Sequence, residues 1–120
     1  MELIKMFKKY GRCIKPSKTI TTDEFNRFPP IICKDGTFIS AQAGTYYKSY
    51  PRENLDDFEY ETVEVLKNET TEAEAMLNGY TCTYDEYVYD NVPVIIMDAI
   101  IKSHGGLDTD AIEAFIKEES

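Results

Sequence analysis

A hairpin signal, one strictly alternating segment and two helical segments after it predict an α+β domain: a small antiparallel sheet of about three to four strands with helices packed on one side. The hairpin signal is Asp35-Gly36, set between Pro-Ile-Ile-Cys and Thr-Phe-Ile-Ser. A two-residue primed turn needs φ > 0, and Gly supplies it without steric cost. The alternating segment is Phe58 to Lys67 (FEYETVEVLK), whose period of two with β-branched and aromatic residues marks a strand. The helical segments are Val94 to His104 and a shorter one from Asp108.

Taken in order, the chain opens with Leu3, Phe7, Tyr10 and Ile14 at helical spacing, with Lys5, Lys8, Lys9, Arg12 and Lys15 between them. Residues 1–16 thus read as a basic amphipathic segment, weakened at Gly11 and ended by Pro16. Thr22 or Asp23 can cap a single helical turn that Pro29-Pro30 stops. Strands are expected at Ile31 to Cys33 and Phe38 to Ala43, then at Phe58 to Val65 with a bulge between Tyr60 and Val63, where the apolar phase changes. Thr70 or Thr71 ahead of Glu74 has capping-box spacing for a short helix ending near Asn78-Gly79. Tyr84 to Tyr89 reads as a strand or extended loop beside the sheet. Pro93 suits the first helical position, Gly105-Gly106 the end of that helix, and Ile95, Ile96, Ala99 and Ile100 its buried stripe.

With 120 residues, the chain reads as one domain spanning 1–120, large enough for a core without disulfide staples. The longest apolar run, Val92 to Ile101, is broken by Asp98 and falls short of the roughly 18 residues a membrane span needs. The N-terminal MELIKMFKKYGRC lacks the apolar region of a signal peptide, so a cytoplasmic location and no membrane partner are expected. Cys13, Cys33 and Cys82 are odd in number, widely spaced and free of any Cys-x-x-Cys, which favours ordinary thiols over a disulfide framework or a zinc site.

The net charge of −9 hides an asymmetry. Residues 1–52 carry ten Lys/Arg against four acids, a net of +6, and residues 53–120 carry three against eighteen, a net of −15. Such a split can drive head-to-tail association or place a basic pocket in a body that repels nucleic acid; the bland alternative is that the charges interleave on one surface. With the tyrosine-rich segment Tyr80 to Tyr89, it predicts a homo-oligomer, a dimer or higher, and no direct DNA binding.

Several of these residues fall into a pattern: Cys33, Asp35-Gly36, Ser40, Gln42-Ala43, Tyr47, Ser49 and Pro51-Arg52, then Tyr60 and Val63-Glu64-Val65, then Tyr89, Val92-Pro93 and His104-Gly105-Gly106. The pattern resembles a family of small bacteriophage and prophage proteins with a C-x-D-G hairpin, a Q-A…Y…P-R loop, a Y-x-x-V-E-V strand and a V-P helix ending in H-G-G. The overlap runs from Pro30 to Gly106 and departs at Thr37-Phe38 and after Val65. It implies phage origin, action in an infected bacterial cell and a shared fold, but no particular chemistry.

The candidate site is the loop after the hairpin, with Gln42, Tyr46, Tyr47, Ser49 and Arg52 as ligand-binding residues. Arg52 offers a planar fork for phosphate or carboxylate, and its structural alternative is a pair with Glu53 or Glu64. Tyr46 and Tyr47 can stack a base or simply serve an amphipathic core. Gln42 shares a strand face with Ser40 and Gly44. His104, the single histidine, suits a helix C-terminus better than general-base work. No catalytic residues, metal ligands or cofactors are assigned. The expected function is an anti-defence binding protein that sequesters a nucleotide-derived second messenger, a cyclic dinucleotide or ADP-ribose derivative. The alternative is an acidic nucleic-acid mimic or protein-binding inhibitor of a host nuclease, CRISPR or restriction effector, with a host immune protein as partner.

Overall fold

The computed structural model describes residues 2–16 and 25–119; the turn expected at Thr22 or Asp23 starts outside them. The N-terminal periodicity becomes α1, Glu2–Tyr10, which buries Leu3, Ile4, Met6 and Phe7. It stops before Pro16, because Gly11 takes φ 64° and Ile14 already pairs with Arg27 in an antiparallel bridge.

Short strands form two antiparallel sheets instead of one. In the first, β1 (Ile31–Ile32) pairs with β2 (Phe38–Ile39), Ile31 opposite Ile39. That register leaves Lys34, Asp35 and Gly36 as the loop: Cys33 N–H donates to the Thr37 carbonyl at 2.9 Å, and Gly36 sits at φ 90°. The hairpin therefore closes through a three-residue loop with glycine in the left-handed position, and not through the two-residue turn that Asp-Gly predicts. Asp35 Oδ1 reinforces it by accepting the Thr37 N–H at 2.9 Å.

The strand expected over Phe38 to Ala43 breaks at Ser40. β3 (Ala41–Gln42) belongs to the second sheet, ordered β3-β4-β5, with β4 at Thr62–Leu66 and β5 at Val88–Pro93. Leu66 N–H donates to the Ser40 carbonyl at 3.0 Å, so one stretch of chain leaves the first sheet and enters the second at that corner. β4 is shorter than expected because Phe58 takes φ 57° and the chain bends before Thr62. The bend, with Tyr60 and Val63 both buried, explains the apolar phase change. The bulge lies further on: Val63 faces Val92 and Val65 faces Tyr89, so Asp90 and Asn91 together oppose Glu64, with Asn91 at φ 49°.

α2 (Glu69–Glu72) is capped by Asn68, one turn earlier than the spacing to Glu74 predicts. Asn68 Oδ1 accepts the Thr71 N–H at 2.8 Å and Thr71 Oγ1 accepts the Asn68 N–H at 2.7 Å. A 3-10 turn, Ala75–Tyr80, buries Leu77. α3 (Val94–Ser103) starts directly after Pro93 and ends at Gly105 and Gly106, at φ 90° and 85°. Its buried side is Val94, Met97, Ile100 and Ile101, which corrects the expected stripe: Ile95 and Ala99 face solvent and Ile96 is half-buried. Apolar residues run almost all round this helix, so periodicity could not choose a face. The packing of α1, and the Leu3 N–H donated to Asp98 Oδ1 at 2.9 Å, chooses it. α4 (Thr109–Glu119) is longer than expected and buries Ile112, with Asp108 accepting the Ala111 N–H at 3.0 Å.

One cluster of buried side chains joins α1, both sheets, α3 and α4. Its aromatic centre is Phe7 stacked on Phe28 at 3.7 Å between centroids, with Tyr60 edge-on to Phe7 and Phe58 edge-on to Phe28. Cys13, Cys33 and Cys82 are free thiols, and no helix of the described residues is long and apolar enough to cross a membrane.

Candidate functional site

The loop after β3 is built by its own polar groups. Gln42, 7% exposed, accepts the Phe28 N–H at Oε1 (2.9 Å) and donates from Nε2 to the Phe28 carbonyl (3.0 Å) and to Ser40 Oγ (3.2 Å). Ser49 Oγ, also buried, accepts the Gly44 N–H at 3.1 Å and donates toward the Pro51 carbonyl at 3.1 Å. Arg52 is exposed and donates from Nε to the Thr45 carbonyl at 3.3 Å; it pairs with neither Glu53 nor Glu64 in the described geometry. Tyr46 stacks on Phe25 at 5.0 Å on the surface. Tyr47 is half-buried, and burial pushes its phenol up, with Arg27 opposing and Glu64 adding. Each of these side chains thus engages a different neighbour.

Cavities give a second measure. One of about 180 Å³ is lined by Arg27, Phe38, Ser40, Gln42, Leu66 and Phe115, below the roughly 300–1,000 Å³ of small-molecule sites. An open hollow of about 470 Å³ lies between Glu2, Asp98 and Lys102 and is lined by none of the expected residues.

The β5 bulge gathers a different set. Lys48 is the hub: its N–H donates to Glu64 Oε1 at 3.3 Å, its carbonyl accepts the Asn91 N–H at 3.1 Å, and its Nζ stands 4.0 Å from Asp85 Oδ2. Burial pushes the Glu64 carboxyl up against the pull of Lys48, with Asp85 and Asp90 adding to the rise. Desolvation would lower Lys48, but Cys82, Asp85 and Glu64 outweigh it and the net shift is upward. On this acidic edge Tyr84 is 95% exposed and Tyr87 69%, flanking Asp85 and Glu86. Tyr50, also exposed, bridges to Thr62 on the β4 end beside it.

His104 does more than close a helix. Its Nδ1 lies 2.6 Å from Asp35 Oδ2 and its Nε2 2.5 Å from Glu74 Oε1, joining the hairpin to the linker after α2. The opposite nitrogens point at the two acids, so the set does not converge on a cation, and among the described residues no group of three His, Cys, Asp or Glu is placed to hold one.

Sequence reasoning also missed Arg12. Read as a solvent-facing helix residue, it lies beyond α1 with its guanidinium 4.7 Å from the Phe28 ring centroid and 5.3 Å from that of Phe58, donating to the Ala43 carbonyl at 3.3 Å and to the Tyr60 hydroxyl. The only signal was indirect: Gly11 ends the helix and frees Arg12 from the periodic face. The opposite charges of the two halves meet within the chain, in Lys8–Glu59, Lys9–Glu113 and Lys48–Asp85. Comparison with protein-family models, with curated proteins and with solved structures returns no match.

Proposed function

We propose that this chain is a stoichiometric, phage-encoded inhibitor that docks on a basic protein surface of a host defence effector, a nuclease groove that otherwise holds nucleic acid. The observation that carries this reading is the pair Tyr84 and Tyr87, 95% and 69% exposed, around Asp85 and Glu86. Tyrosine is a characteristic interface anchor because it offers large, rigid, amphipathic area, and acids around it steer the encounter with a basic partner. Self-association is the other use of such an edge, and sedimentation velocity at two salt concentrations separates the two.

The sequestration of a nucleotide second messenger is the second reading. What favours it is the exposed Arg52 guanidinium on the same loop as the Tyr46–Phe25 stack. Against it, Gln42 and Ser49 spend their polar groups on the fold.

The test titrates the purified protein into cleavage assays of a CRISPR effector nuclease and a restriction endonuclease. Cleavage should be lost at about equimolar protein, and salt should weaken the inhibition. Tyr84→Ala should weaken inhibition by about 2 kcal/mol or more, the scale of an interface hot spot, with an unchanged melting temperature. Absence of inhibition, together with a thermal shift produced by a cyclic dinucleotide or ADP-ribose, would favour the second reading.

A further inference from the structure

The hairpin loop and the end of α3 are tied through main chain: Lys34 N–H donates to the Gly106 carbonyl at 3.0 Å, and Cys33 bridges to Leu107. This tie sets His104 between carboxylates of two other elements, Asp35 at 2.6 Å from Nδ1 and Glu74 at 2.5 Å from Nε2. Thr37 Oγ1 lies 3.0 Å from the same Nδ1. An ionised carboxylate can only accept, so both contacts require an N–H from the ring. Only the imidazolium carries two; the neutral ring keeps one and turns a lone pair toward the other acid.

We infer that His104 is a proton-operated latch whose imidazolium pins the linker before the Ala75–Tyr80 turn, through Glu74, to the hairpin, through Asp35, and that loss of the proton weakens the Glu74 side. The Asp35 side keeps its main-chain ties to α3. The Glu74 carboxylate reaches the end of α3 through this side-chain bond, which loses its charge assistance when the ring becomes neutral.

The groups facing the ring are Asp35 and Thr37 from the hairpin and Glu74 from the linker, with Lys34 beside Gly105 as the nearby cation. The Cys33 thiol, pushed up to about 11 by burial and then by Asp35, stays neutral through the relevant range. Hydrogen bonds to Glu74 and then Asp35 raise His104 above its ordinary 6.5, against a smaller opposing effect of burial. The latch is therefore closed below 6.5 and opens as pH rises through the raised value. It holds the segment that leads into Tyr84 and Tyr87 but does not depend on any partner of that edge.

His104 is the single histidine of the chain, so its ring resonances report one titration by NMR. The wild-type protein is titrated from about pH 5.5 to 10, with amide exchange measured over Ala75–Tyr80 and corrected for the intrinsic rate. The expected result is a ring midpoint above 6.5 and a loss of protection of about tenfold with the same midpoint, the scale of one charge-assisted hydrogen bond. Glu74→Gln, which keeps an acceptor without the charge, should bring the midpoint down and carry the loss of protection with it. A midpoint at or below 6.5, or protection that stays level through the midpoint, overturns the inference. The two wild-type curves decide this even if the variant does not fold.

Discussion

Gln42 and Phe28 form a closed pair in which a side-chain amide satisfies both main-chain groups of one residue, at 2.9 Å and 3.0 Å. The amide stands in for a neighbouring strand where the backbone from Phe28 to Pro30 has none, and Phe28 in turn holds the Phe7 ring. Gln42→Ala should therefore destabilise the protein by about 2–4 kcal/mol, because it leaves a buried donor and acceptor unpaired. Gln42→Glu should restore little, since a carboxylate cannot donate to the Phe28 carbonyl. Urea midpoints of the two variants measure this, and a stable Gln42→Ala protein would show the pair to be dispensable.

Asp35 makes the acid limb of the stability curve predictable. Hydrogen bonds from Thr37, and then from His104, hold its carboxyl at about 2 against an ordinary 3.8. A depressed folded value means that its contribution is fully present above 3.8 and is lost as pH falls through about 2. Urea midpoints at pH 5 and pH 2.5 should differ more for the wild type than for Asp35→Asn. Equal differences would remove Asp35 from the acid response.

Cys33 should be inert in the native state. It is 1% exposed, and its thiol is pushed up to about 11 by burial and then by the neighbouring Asp35. At pH 8 a disulfide reagent should modify Cys82, which is half-buried, well before Cys33, and Cys33 should react only after urea is added. Mass spectrometry of the labelled peptides reads the order.

Gly44 is predicted to tolerate no side chain. It sits at φ 146°, and an added Cβ would run into Asn54 Oδ1, the acceptor of the Thr45 N–H at 3.0 Å. Gly44→Ala should cost about 1–3 kcal/mol, from backbone strain and the displaced asparagine together. Combined with Asn54→Ala, its cost should fall below the sum of the two single variants, a coupling that a double-mutant cycle measures.

What was legible in the sequence was local. Pro93 and Gly105-Gly106 bracket α3 because ring closure and left-handed φ act within a residue or two. Val63 and Val65 declare β4 through their alternation, and both are fully buried. What stayed hidden was set by contacts far along the chain. Ser40 carries no sign of a corner, because the sheet it joins is completed by Leu66. Gln42 looked like a free amide on a strand face because its partner, Phe28, precedes the hairpin altogether. Arg12 read as one cation of the basic helix and His104 as a cation at a helix end, and only the assembled fold supplies the rings around one and the two acids around the other. The candidate loop was found as a loop; the work its polar groups do for the fold was not.

The hydrogen bond from Leu3 to Asp98 spans 95 residues of sequence. A ribosome adding roughly 5 to 20 residues per second needs on the order of 5 to 20 s to cover that interval. For all of it, α1 has been made but α3 has not, and the apolar side of Leu3, Ile4, Met6 and Phe7 lacks the helix that covers it. An amphipathic helix of this length does not hold alone in water. The nascent chain therefore cannot close this helix pair until α3 has been made, and the apolar side of α1 is open to chaperones until then.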